Sequence, residues 1–180
     1  MKHPQKSFLV GLAALALCLV TVGGSLCWMT ATGAAQNHLT AGTVSVAVLE
    51  DFDGVTKTNV RLQNTGTVTA YLRAALVPTW ETAQNVAVAQ PVRPDDLAVV
   101  YPADSSWFQV GDLWYYALPV PPGGITPPLV TSATAGTPPD PALHLNLQLL
   151  SDAIQAQPVD APAVWVDVQV VDGALVEVVR

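Results

Sequence analysis

The chain has 180 residues, of which 51% are hydrophobic and only 12% charged. Disordered proteins combine low hydrophobicity with high charge, so that class is excluded. The formal charge is −7, and removal of an N-terminal leader with Lys2 and Lys6 would leave five basic residues against fourteen acidic ones, or −9. A protein of that sign repels nucleic-acid phosphates and gains nothing from anionic lipids, so neither is expected as a partner.

Residues 1–34 predict a helical signal peptide. A short basic start precedes an apolar run from Phe8 to Val22, and small residues follow it. The alternative is a retained transmembrane anchor, since about 20 apolar residues can span a bilayer. The glycine pair that begins at Gly23 shortens the run, and no basic cluster follows it, so removal is favoured. We expect cleavage between Trp28 and Gln36, which would leave a secreted protein without a permanent membrane anchor.

Both cysteines, Cys18 and Cys27, fall inside this leader. A lipoprotein signal needs a small residue before the modified cysteine, but leucine stands there in both cases. The mature chain would therefore have no disulfide, no thiolate nucleophile and no cysteine-ligated metal.

Period-2 alternation of apolar and polar residues follows the leader and predicts β-strands. The first apolar stripe consists of Val44, Val46 and Val48. After a second short strand, a turn at Asn64–Gly66 leads into a third strand over Thr69–Val77. A polar loop is then expected from about Glu81 to Asp104, interrupted by an apolar stretch from Leu97 to Tyr101.

A hairpin is predicted next, with Gly111-Asp112 as its turn. Its two strands carry an aromatic cluster: Trp107, Phe108, Trp114, Tyr115 and Tyr116. Exposed rings on a sheet could stack on sugars, which makes Trp107, Trp114, Tyr115 and Tyr116 a candidate glycan-binding surface. Cross-strand aromatic pairs in a hydrophobic core explain the same residues without a ligand, and this interpretation is favoured.

The C-terminal third contains two further apolar stripes. Residues 119–141 are rich in proline and predict a loop or an edge strand. Leu143–Leu149 alternates leucines with polar residues and is the clearest strand, whereas residues 151–157 fit a helical turn or an irregular crossover. Alternating valines over residues 164–170 predict another strand, followed by a tight turn at Asp172-Gly173.

These seven to nine strands predict an all-β fold, and the economical arrangement is an antiparallel two-sheet sandwich of jelly-roll or Greek-key type. We expect one such domain over residues 35–180, behind the signal helix.

Motifs for catalysis are missing from the sequence. There is no HExxH or GxSxG motif and no glycine-rich phosphate loop, and the mature chain has only His38 and His144. A Ser-His-Asp triad stays open, because its members need only meet in space. The stretch Glu50–Gly54 is similar to part of a calcium loop but lacks the remaining carboxylates, which favours a solvated turn. We therefore predict a non-enzymatic protein with no catalytic residues, no cofactor and no metal.

Several segments resemble the TasA/camelysin family of exported proteins of Gram-positive bacteria. VTVGGSLCW in the leader is similar to signal peptides read by the SipW-type signal peptidase, and LTAGTVSVAVLE is similar to the start of the mature family members. VRLQNTGTVTAYLRAALVPTW, WYYALPVPPGGITPPL and AIQAQP extend the resemblance along the chain. It implies a β-sandwich that forms extracellular matrix or fibres by donating its N-terminal strand. Camelysin is classed as a metallopeptidase, but no zinc motif of that kind maps onto this chain.

The predicted function is thus a secreted structural subunit of a biofilm matrix or fibre. Its partners would be the SipW-type signal peptidase during export, and other copies or matrix proteins afterwards. The predicted donor strand contains Val44, Val46 and Val48. The alternatives are a cell-surface module that binds carbohydrate or protein, and a camelysin-like metallopeptidase.

Overall fold

The computed structural model describes residues 42–103, 105–157 and 164–179. The predicted signal helix, its cleavage window and the start of the predicted domain lie outside them. The all-β prediction with antiparallel sheets is confirmed. The strands are β1 Val46–Phe52, β2 Thr56–Asn64, β3 Ala70–Thr82, β4 Leu97–Val100, β5 Trp107–Val110, β6 Leu113–Tyr116, β7 Val130–Ala135, β8 Leu143–Gln155, β9 Val168–Val171 and β10 Ala174–Glu177. A 3-10 turn, Pro94–Asp96, precedes β4. Nowhere in the described ranges is there a helix long and apolar enough to cross a membrane.

The first four-stranded sheet has the order β1-β2-β7-β4, with every pair antiparallel. Its strand β7 corrects one prediction. The proline-rich segment 119–141 was expected to be loop or edge strand, but Val130–Ala135 lies between β2 and β4. This stretch contains no proline, so each of its residues keeps the N–H that an interior ladder needs.

The second four-stranded sheet has the order β5-β6-β3-β8. The predicted turn at Gly111-Asp112 is confirmed, since Val110 pairs with Leu113 and Gly111 has a φ of 59°. Pairing of β3 with β8 continues without a register shift from Ala70 opposite Gln155 to Thr82 opposite Leu143. The predicted helical turn or crossover at residues 151–157 is therefore wrong as far as residue 155, because β3 supplies a continuous partner there.

Strands β9 and β10 form a separate two-stranded sheet. Its tight turn is confirmed, with φ values of 50° at Asp172 and 81° at Gly173, the left-handed pair that a two-residue hairpin requires. The predicted valine stripe is wrong in its first half. Val164 is 64% exposed and the strand begins only at Val168, whereas Trp165 between them is 1% exposed. An indole buries more apolar area than a valine side chain. The chain is therefore oriented with Trp165, and not Val164, toward the core.

Two hydrophobic clusters cover opposite faces of the second four-stranded sheet. The main cluster joins both four-stranded sheets; its buried members are Val60, Leu62, Ala70, Leu72, Ala74, Trp107, Tyr116, Val120, Leu129, Val130, Ala133 and Leu147. The smaller cluster joins that sheet to the C-terminal segment; its buried members are Tyr71, Tyr115, Ala156, Trp165, Val168 and Leu175. Successive side chains of a strand point to opposite faces, so this sheet buries both sets.

The turn after β2 carries the chain from one sheet to the other. Asn64 is fully buried there, and its Nδ2 donates 2.8 Å hydrogen bonds to the carbonyls of Val68 and Val120. Its Oδ1 accepts a 2.9 Å bond from the amide of Gly66. A buried amide with all these bonds made fixes the crossover, because without them the polar atoms of Asn64 would be buried and unsatisfied.

Candidate functional site

The predicted donor strand lies at an edge of its own sheet. Val46 pairs with Asn64 and Val48 with Leu62, and the half-buried stripe of Val44, Val46 and Val48 packs against the main cluster. In the single chain this stripe is therefore part of the core. Donation to a second copy stays a prediction.

A short turn at Asp53–Val55 ties β1 to β2. Asp53 Oδ1 accepts hydrogen bonds from the amides of Thr56 at 2.7 Å and Val55 at 2.9 Å. These bonds stabilise the carboxylate and hold the pKa of Asp53 below its ordinary value of 3.8. A β1 strand that left its sheet would have to open this turn.

The other carboxylates of the acidic stretch have protein partners as well. Glu50 lies 2.6 Å from Lys57 Nζ, and Asp51 accepts a 3.3 Å bond from Asn59. Across the described residues, no three histidine, cysteine, aspartate or glutamate side chains gather to hold a metal ion.

A groove runs between β1 and β8, the neighbouring edge strands of the two four-stranded sheets. One recess of about 420 Å³ is lined by Val48 and Glu50 of β1, by Lys57 of β2 and by residues 146–150 of β8. Its lining combines aliphatic residues with polar ones, among them the ion pair of Glu50 and Lys57. Such a surface suits an extended peptide, whose backbone can pair with an edge while its side chains enter the groove.

A cleft of about 370 Å³ shares Lys57 and residues 146–148 with that recess. Glu81 is opposite His144 in the β3–β8 register. Glu81 is 8% exposed. One of its carboxylate oxygens accepts a 2.8 Å bond from Asn146 Nδ2, and the other lies 3.7 Å from His144 Nε2. The cleft thus offers a carboxylate and an imidazole to a ligand.

No Ser-His-Asp triad is assembled in this cleft, because the described residues that line it include no serine, threonine or cysteine. Alternation along Leu143–Leu149 predicts that His144 and Asn146 share one face of a strand, but sequence reasoning missed Glu81 as their neighbour. The sequence contains only a weak signal for this contact. Polar residues alternate along Leu143–Leu149, but only the register with β3 places Glu81 beside them.

Three of the four candidate glycan-binding aromatics are buried: Trp107 is 7% exposed, Tyr116 8% and Tyr115 fully enclosed. Trp107 packs on Tyr116 with ring centroids 5.2 Å apart, and its Nε1 donates to the carbonyl of Pro127 at 3.1 Å. Sugar stacking needs an open ring face, which these side chains do not present.

The fourth ring, Trp114, is half-buried and stacks on Tyr101 with centroids 4.5 Å apart and planes 24° apart. Tyr101 is 41% exposed, and partial burial raises the pKa of its phenol. Sequence reasoning placed Tyr101 at the end of an apolar stretch within a loop and missed its contact with Trp114. This pair is the part of the predicted aromatic surface that solvent reaches.

No protein-family model, curated protein or solved structure matches this chain.

Proposed function

We propose that the chain is an exported structural subunit of an extracellular matrix or fibre-like assembly. The observation that carries the proposal is the pair of neighbouring edge strands, β1 and β8, with a partly apolar groove between them. Edge strands present unpaired N–H and C=O groups, and a second chain can complete their ladders. The predicted leader, read by a SipW-type signal peptidase, and the resemblance to the TasA/camelysin family support secretion and matrix assembly.

The two four-stranded sheets are proposed to form a single sandwich of jelly-roll or Greek-key type. Support comes from the main cluster, to which both sheets contribute, and from the adjacent strands β2 and β3, which lie in different sheets. Such a domain is a rigid building block, since its core does not depend on the assembly that its edges form.

Strand donation is one route to assembly. Val46→Asp places a charge in the half-buried stripe of β1, which costs several kcal/mol if the charge stays buried. If β1 is donated, the variant is a folded monomer that no longer assembles. If β1 serves its own sheet, the variant unfolds, as circular dichroism would show. Unfolding would eliminate donation without eliminating assembly through other edges.

The proposed function is tested on the exported protein itself. Electron microscopy and light scattering after size exclusion should show polymers or oligomers whose population grows with concentration. Mass spectrometry of the N terminus should show that the leader has been removed. An exported protein that remains monomeric at millimolar concentration would eliminate the structural role.

A carbohydrate-binding module is the second candidate, and the exposed stack of Tyr101 on Trp114 favours it. Aromatic stacking on a sugar predicts retention on a polysaccharide affinity gel that Tyr101→Ala abolishes. Tyr116→Phe is the matched control, because its ring is buried and unavailable to a glycan. Equal retention of both variants would exclude this surface.

A further inference from the structure

We propose that the outer edge of β8 pairs antiparallel with β8 of a second copy, so that two chains form a continuous sheet across a two-fold axis. This inference rests on the proposed structural function and names the surface that would carry it. Among the described strands β8 pairs only with β3, and its other edge borders the groove beside β1.

The β8 strand itself lacks the features of length, charge and shape by which edge strands prevent pairing. Natural edges are short, charged, bulged or interrupted by proline. Residues 143–150 contain no acidic or basic residue apart from His144, and no proline or glycine. The ladder to β3 runs over all thirteen residues of β8 without a bulge. The strand therefore offers a long and regular edge that is nearly uncharged over residues 143–150.

The other three edges of the four-stranded sheets are less suited to a long, regular pairing with a second strand. β1 carries Glu50 and Asp51, and its register with β2 shifts between Leu49 and Asp51. β4 and β5 have only four residues each. Short strands offer few hydrogen bonds, and charges resist burial in a new ladder. The contrast among edges of one molecule singles out β8.

The sequence of β8 is suited to pairing with itself. LHLNLQL, residues 143–149, has the same apolar and polar alternation when read in reverse. An antiparallel pair centred on Asn146 places Leu143 opposite Leu149, and Leu145 opposite Leu147. On the other face it places His144 opposite Gln148. No like charges then face each other, although the chain as a whole is acidic, and cross-strand leucine pairs stabilise the ladder.

The register centred on Asn146 also agrees with the residues at both ends of the paired segment. Pairing centred on Asn146 stays within residues 142–150 and stops before Pro141, which cannot donate to a ladder. Leu150 is 56% exposed in the single chain and would be opposite Ala142. A shift by one residue in the centre would place Leu150 opposite His144, an apolar residue against a polar one.

Two glutamine-to-lysine substitutions, one on each edge strand of this sheet, test whether β8 carries the association. Gln148 of β8 and Gln109 of β5 are both exposed and lie on opposite edges of the same sheet. Gln148→Lys should weaken association by at least about tenfold in sedimentation or light scattering, because edge lysines block strand addition. Gln109→Lys adds the same charge and should leave association unchanged. Circular dichroism of both variants verifies folding.

Disulfide cross-linking tests the register. The exported protein is expected to lack cysteine, so introduced cysteines report on their own positions, and protein without them is the control. A mixture of His144→Cys and Gln148→Cys should yield a covalent dimer on mild oxidation, since directly opposite residues have Cβ atoms about 4.5–5.5 Å apart. If the wild type assembles while Gln148→Lys assembles equally and no cross-link forms, this interface is eliminated and the structural role survives. If the wild type never assembles, both proposals fail.

Discussion

Replacement of Trp165 by alanine tests whether the C-terminal segment stabilises the fold through a single aromatic anchor. Trp165 is 1% exposed and meets Tyr115 edge to face, with centroids 5.7 Å apart. The guanidinium of Arg73 lies 4.6 Å from the ring centroid of Trp165. The indole Nε1 of Trp165 donates a 3.3 Å hydrogen bond to Asp152. The ring thus fills the smaller cluster and holds a cation and a carboxylate beside it.

Trp165→Ala should lower the free energy of unfolding by about 3–5 kcal/mol, the range for large aromatic side chains removed from a core. Of this, the cation–π contact accounts for about 0.5–2 kcal/mol. With a urea dependence of about 2 kcal/mol per molar, the unfolding midpoint falls by about 2 M. Far-ultraviolet circular dichroism is the assay, because it does not depend on the tryptophan that is removed.

Val164→Ala is the matched control. Period-2 alternation predicts that Val164 is buried, whereas the structure has it 64% exposed, so its truncation should change stability by no more than about 0.5 kcal/mol. If Val164→Ala costs as much as Trp165→Ala, or if Trp165→Ala costs under about 1 kcal/mol, the packing described for this segment is wrong.

Three further outcomes are expected. Asn64→Ala should cost roughly 3 kcal/mol in urea unfolding, because it removes three hydrogen bonds at the sheet crossover and leaves the carbonyl of Val68 and the amide of Gly66 without their side-chain partner, and a cost near zero would contradict that role. Asp96 is buried, and its bonds to Arg93 hold its pKa below 3.8. A lowered folded-state pKa gives stability that is present above about pH 4 and lost as the pH falls further, so Asp96→Asn should lose less stability on acidification than the wild type. Intact-mass measurement of the exported protein should show a loss of about 3–4 kDa from cleavage between Trp28 and Gln36, and a secreted form that retains the leader would refute it.

Much of the strand pattern could be predicted from sequence because it depends on neighbouring residues. Alternation in the β8 leucines follows from the two-residue period of a strand. The turns at Gly111-Asp112 and Asp172-Gly173 follow from residues that tolerate positive φ. The candidate site could not be predicted in the same way. Asn146 and Glu81 are 65 positions apart, and only the pairing of β3 with β8 brings them together.

By itself, the sequence determined that the chain is built of antiparallel strands, where its hairpin turns lie, and that Leu143–Leu149 forms a strand. These properties are local, since backbone angles and side-chain alternation depend on a few adjacent residues. Tertiary structure decided which apolar residues are buried. It placed β7 inside a sheet although prolines surround it, and it enclosed Trp165 rather than Val164. It also left the β8 edge without a partner among the described strands. Burial and strand pairing depend on which segments, distant in the sequence, pack against each other. The free energy of that packing involves the whole chain.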